Sequence, residues 1–186
     1  MKSAYSLALA LLSLGIAGVA QAGQVFPKTF DATYESSTSS GKSQMHMLSD
    51  GKGRLRTESS AGGYKVVSIT DYPNSVAYSI IEAQKMCTKM HLKEGYSSTA
   101  PEDMLKKKGT KDLGTKMVEG HNCRGWSTTT NGTTQEIWVD VASNILVKST
   151  TIGGGANTSM VLKSLKNDTP AAELFTVPAG YKVMSY

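Results

Sequence analysis

Turn chemistry punctuates this chain at near-regular intervals, and that pattern limits the fold more than any other feature. Asp50-Gly51, Gly62-Gly63, Pro73-Asn74 and Asn131-Gly132 each sit between short runs rich in Val, Ile, Thr, Tyr and Met. Such pairs favour tight turns, and the runs between them are too short for stable amphipathic helices. The successive runs are ATYESST, SQMHMLS, GRLRTESS, YKVVSIT, SVAYSII and QKMCTKMHL, then GTKMVEG, CRGWSTTT, TQEIWVDV, ILVKSTTI and SMVLKSLK. The spacing predicts about ten or eleven short strands in an antiparallel sheet, open or curled towards a barrel. A last strand is expected from Tyr181. One segment breaks the rhythm. Thr99 followed by Glu102 is a capping-box pattern, Pro101 stands near the start and Gly109 follows the last lysine, so a short helix is predicted from Pro101 to Lys108. A single helical turn is expected at Pro170–Leu174.

The N-terminus is read separately. Lys2 precedes an apolar stretch from Leu7 to Ala20, and Ala20-Gln21-Ala22 is a small-x-small cleavage pattern. Residues 1–22 therefore read as a cleaved secretory signal peptide, and residues 23–186 as one domain with no lipobox and no transmembrane helix. A membrane anchor is the alternative, but no polybasic flank follows. The expected location is the periplasm or the exterior. Cleavage leaves about 164 residues, enough for one domain with a sizeable core.

Charge and motifs narrow the function classes. The formal net charge is +5, with lysines scattered apart from Lys106-Lys107-Lys108. No basic-aromatic stripe accompanies them, so nucleic acid is not expected as a partner. Glu102-Asp103 belongs to a helix N-terminus, where negative charge is favoured. With three histidines and no nucleophile elbow, zinc-protease helix or phosphate loop, the chain does not read as an enzyme, and no cofactor is called for.

Soft metal ligands concentrate in KMCTKMHL, residues 85–92. On a helix, Met86, Cys87, Met90 and His91 would gather on one side. On a strand, Met86, Thr88, Met90 and Leu92 share one face and Lys85, Cys87, Lys89 and His91 the other. The flanking SVAYSII and DYPN favour the strand, so the methionines read as apolar lining. Met45-His46-Met47 splits in the same way. His121 and Cys123 share a face in GHNCRGW, so reduced cysteines with His91 and His121 form the alternative, a zinc or copper site. An exported chain with two cysteines is instead expected to bridge Cys87 to Cys123, closing a loop of about 37 residues worth at most about 4 kcal/mol.

Several stretches carry a resemblance. In TTQEIWVDVASNILVKSTT, the residues Trp138, Val139 and Asp140, then Ile145, Leu146, Val147 and Lys148, resemble the later hairpin of the LolA/LolB-like periplasmic lipoprotein-carrier superfamily. LFTVPAGYKV, from Leu174 to Val183, is similar to the end of those domains. ITDYPNSVAYSIIEAQKMCTKM resembles their central hairpin, and EGHNCRGW the entry to the next strand in their uncharacterised relatives. The similarity covers most of residues 30–184. It implies an α+β, mainly β fold: a strongly curved antiparallel sheet forming an incomplete barrel, one or two short helices plugging its concave side, and a hydrophobic cavity for acyl chains. The chain departs from the carriers in lacking their long N-terminal helix. Its arginines, Arg54, Arg56 and Arg124, match no carrier-type arginine lock, so it resembles an uncharacterised relative and not the carrier itself.

A curved sheet with one apolar face either fills its concavity or holds something there. Met45, Met47, Met86, Met90, Ile137 and Val139 are the expected lining, with Met104 and Leu105 on the plug. The reading is a monomeric, non-enzymatic protein binding a lipid or another amphiphile. The alternatives are a periplasmic metal-binding protein and an envelope module with a protein partner.

Overall fold

The structure is a computed structural model and describes residues 28–39, 41–61, 64–92, 109–154 and 157–185. The expected signal peptide, the helix at Pro101–Lys108, and with it Met104 and Leu105, lie outside the described residues. Twelve strands form one sheet: β1 (Thr29–Thr38), β2 (Gly41–Asp50), β3 (Arg54–Ala61), β4 (Tyr64–Asp71), β5 (Val76–Ile81), β6 (Met86–His91), β7 (Thr110–Val118), β8 (His121–Thr130), β9 (Thr133–Asp140), β10 (Leu146–Ile152), β11 (Thr158–Lys166) and β12 (Lys182–Ser185). Their order is β12-β6-β5-β4-β3-β2-β1-β11-β10-β9-β8-β7, which leaves β12 and β7 as ends, so the sheet does not close.

The expected runs each become a strand, and local chemistry explains the hairpins. Asn131-Gly132 joins β8 to β9 with both residues at positive φ, 50° and 75°, the geometry that a two-residue hairpin turn needs. Asp50 accepts hydrogen bonds from the Lys52 and Arg54 amides at 2.8 and 2.9 Å, tying the β2–β3 turn. Asp140 does the same for β9–β10, accepting from the Ala142 and Ser143 amides and the Ser143 hydroxyl. In both carboxyls burial raises the pKa. It is outweighed at Asp50 by the bonds from Arg54 and Lys52, and at Asp140 by the bonds from Ser143, the His121 charge and the Ala142 bond, so both titrate below the ordinary range.

Curvature shows in the core. Phe30, Ala32 and Tyr34 on central β1 pack with Met45, Met47, Leu55, Tyr72, Ile145, Val147 and Leu162. Leu92, just after β6, and Leu113, on β7, pack against that same cluster although they come from opposite ends of the sheet. Tyr34 is fully buried and its hydroxyl donates to the Leu146 carbonyl at 2.9 Å. Burial also pushes its phenol pKa well up.

One feature differs from the sequence expectation: β12 joins β6 in parallel, in an otherwise antiparallel sheet. The chain reaches that edge by crossing the sheet after β11. The helix expected as the main plug lies outside the described residues. The expected turn near Pro170–Leu174 is a 3-10 turn at Ala172–Phe175. Arg56 donates to its Leu174 carbonyl at 2.9 Å, and the Arg54 guanidinium stacks 5.3 Å from the Phe175 ring centroid. Both arginines alternate with Leu55 and Thr57, so this turn covers the face opposite Met45 and Met47.

Candidate ligand-binding face

Paired residues in a sheet share a face, so the register decides which side chains meet. One row runs Met45, Ser59, Val66, Ile81, Met86 from β2 to β6. The next runs Met47, Thr57, Ser68, Ser79, Thr88, and the third Ser49, Leu55, Thr70, Ala77, Met90. The four methionines singled out from the sequence therefore occupy one face. KMCTKMHL is a strand, with Met86, Thr88 and Met90 on that face and Cys87, Lys89 and His91 on the other. Lys85 is not part of it; it caps the preceding 3-10 turn in the left-handed region at φ 48°.

Side-chain size changes across this face. Near β1 and β2 it is filled: Met45 and Met47 are buried in the cluster with Phe30 and Tyr34. Towards β6 the three rows carry no aromatic ring. Val66, Ser68, Thr70, Ala77, Ser79, Ile81, Met86, Thr88 and Met90 are all half-buried. The floor is mixed, with hydroxyls of Ser68, Thr70, Ser79 and Thr88 among Val66, Ala77, Ile81, Met86 and Met90. The reverse side of these same strands is sealed. Val67, Ile69, Ile80 and Cys87 pack beneath Val177 and Tyr181 of the C-terminal segment.

Ile137 and Val139 lie on the methionine face too, through a second row: Ser36, Met160, Ser149, Ile137, Trp126, Asp112. They form a separate cluster with Trp126 and Leu146, and Met160 touches both this cluster and the main core. Trp126 and Met160 were missed in the sequence. Trp126 alternates with Gly125 in an ordinary strand, and only the pairing of β8 with β9 reveals its place. Trp138, between Ile137 and Val139, points the other way, lies on Gly125 and donates its indole N–H to Glu136.

The cysteine and histidine expectations need correction. Cys87 and Cys123 are both free and buried. Cys87 sits on β6 under the C-terminal segment and Cys123 on β8 in the main core, and neither strand neighbours the other. A bridge needs Cα atoms about 5.5–6 Å apart, which export and an even count do not supply. Burial pushes both thiol pKa values up, with the Asp140 charge adding to the effect at Cys123. His91 and His121 are likewise carried on β6 and β8. His121 lies 3.4 Å from Asp140 Oδ2, and among the described residues no three His, Cys, Asp or Glu side chains group as metal ligands. Thiol titration of the denatured, unreduced protein should therefore return two thiols per chain, and the native protein should react slowly. A denatured chain without thiols would restore the bridge.

An open depression of about 630 Å³ lies elsewhere, at the start of β1. Lys28, Asp50, Lys52, Ser143 and Asn167 are among its lining residues, none of which belongs to the three methionine-face rows. No helix among the described residues is long and apolar enough to cross a membrane.

Comparisons with known proteins place the fold. Residues 32–151 match the profile of a family described as "Domain of unknown function (DUF4412)". No curated protein matches the sequence. Among solved structures, an uncharacterized conserved protein from Thermus thermophilus superposes with a TM-score of 0.62 at 11% identity, over 86% of this chain and 91% of that one. PNGF-II gives 0.54 at 15% identity over 86% of this chain, and MucB 0.55 at 12% over 87%. The chain spans only 31% of the PNGF-II chain and 62% of the MucB chain. At these identities the likeness is one of fold alone.

Proposed function

The chain belongs to the family described as "Domain of unknown function (DUF4412)", and from that premise we propose that it is an exported, non-enzymatic binding protein that holds a lipid or similar amphiphile against the β3–β6 part of its methionine face. The observation that carries this reading is the asymmetry of those strands. One side is closed by the chain's own C-terminal segment, while the other presents half-buried small residues between Met86 and Met90. Sites for amphiphiles are largely apolar with a few polar groups that fix orientation, and this face offers Val66, Ala77, Ile81, Met86 and Met90 with hydroxyls of Ser68, Thr70, Ser79 and Thr88 beside them. Methionine suits a ligand of variable chain length because its unbranched thioether adapts to irregular shapes. Export rests on the sequence of residues 1–22. MucB, similar in fold over 58% of its chain, is known in complex with MucA(peri), so a protein partner is the second reading.

The test uses 11-(dansylamino)undecanoic acid. Wild type should bind it with enhanced, blue-shifted emission. Met90→Lys should weaken binding at least tenfold while far-UV CD is preserved, because a lysine on a half-open wall carries its charge to water. Loss of folding in Met90→Lys would mean a closed core, where an unpaired buried charge costs several kcal/mol. Wild type that leaves the probe unbound would end the lipid reading.

A further inference from the structure

The three rows that make up the methionine face from β2 to β6 contain no ionisable side chain. Their continuation onto the edge strand does. Lys182 of β12 pairs with Met86 and Met184 with Thr88, which extends the first two rows by one strand. The first row thus ends on an ammonium.

Packing fixes the same orientation. Val183 pairs with Cys87, and Tyr181 packs with Val67, Ile69, Ile80 and Cys87 on the sealed side. Alternation then turns Lys182 and Met184 to the methionine side. The Lys182 amide donates to the Lys85 carbonyl at 2.9 Å, which holds the strand in register at this point.

The sealed side treats its charges differently. There Lys65, which alternates with Val67, lies 3.0 Å from Glu58 and 3.4 Å from Glu82. The exposed Lys182 ammonium has no carboxylate partner among the described residues. Lysine is a compact, strongly hydrated charge on a flexible apolar stem, so it can lie along Met86 with its head in water. These rows offer nothing to attract a cation and one group to attract an anion.

We infer that Lys182 sets the charge preference of the methionine face: an amphiphile with an anionic group, carboxylate or phosphate, lies with that group at the β12 rim and its apolar part over Met86 and Met90. This rests on the amphiphile-binding reading and adds to it the sign of the ligand's head and the direction in which it lies.

The experiment displaces N-phenyl-1-naphthylamine, an uncharged probe, with decyl phosphate, decanoate or decyltrimethylammonium, each below its micelle concentration at neutral pH and low salt. Wild type should favour the anions over the cation by about three- to fivefold, the range for a partly exposed ion pair. Lys182→Gln should abolish that preference and bind the uncharged probe as wild type does. Lys182→Arg should restore it. Lys182 is exposed, so neither change empties the core. Lys89→Gln controls for net charge, because Lys89 pairs with Ser185 on the sealed side of the same two strands. A preference for both anions assigns negative charge as the recognised feature, and a preference for decyl phosphate alone assigns a phosphate. An equal loss in Lys89→Gln, or a wild type that takes anions and cation alike, overturns the role of Lys182 and leaves amphiphile binding standing. Wild type that binds neither the probe nor any of the three amphiphiles overturns both.

Discussion

Phe175→Ala should cost about 3–5 kcal/mol, the range for emptying a buried phenylalanine site. In thermal denaturation this is a fall of roughly 10 °C for a domain of this size. Phe175 is 4% exposed and is the only buried residue of its 3-10 turn. The Arg54 guanidinium stacks on its ring, and Arg54 is itself held by Asp50 at 2.6 Å. Arg56, buried and paired with Glu58 at 2.7 Å, donates to the neighbouring Leu174 carbonyl. Removing the ring leaves a cavity that these tethered arginines cannot fill. The consequence travels down the chain, because Val177, Tyr181 and β12 follow directly and cover Cys87. The variant should therefore also expose Cys87 to thiol reagents faster than wild type. Phe175→Leu should recover most of the stability. A loss below about 1 kcal/mol with unchanged Cys87 reactivity would show that the C-terminal segment is not part of the folded core.

Gly125→Ala should be nearly as damaging, about 2–3 kcal/mol from overpacking. A Cβ at Gly125 would stand 2.5 Å from Cζ3 of Trp138 and 2.6 Å from two other atoms of that ring. The ring has little room to yield. Its Nε1 donates to Glu136, the Lys116 ammonium sits 3.8 Å over its centroid, and it is 4% exposed. Equilibrium urea unfolding measures the loss, and Trp emission reports the displaced ring. In a Trp138→Leu background the same glycine change should cost under about 1 kcal/mol, since the two residues are in direct contact and their effects couple. An equal cost in both backgrounds would place the strain elsewhere.

Both variants depend on contacts that lie outside local sequence. Gly125 reads as a weak point in a strand until β8 is laid against β9. Phe175 reads as part of a terminal loop until β3 supplies two arginines from about 120 residues away. The methionine face divides along the same line. That Met86 and Met90 point one way and Cys87 and His91 the other follows from alternation alone. That Met45 and Met47 join them on that face, filled at one end and shallow at the other, follows only from four successive strand registers.

What the residues determined by themselves is therefore local: where strands run, where they turn, and which neighbours share a side. Backbone preference at Asn131-Gly132, the carboxylate-tied turns at Asp50 and Asp140, and period-two patterning act over a few residues, and each reads directly from the chain. The tertiary structure decided the rest: β1 against β11, β12 alongside β6 in parallel, two cysteines in separate clusters, and a single indole donor left without an acceptor. The β1–β11 and β12–β6 pairings join segments roughly a hundred residues apart or more, and burial shared between them chooses the partner. Many partners satisfy the same alternation, and only the assembled sheet shows which one buries the apolar faces together.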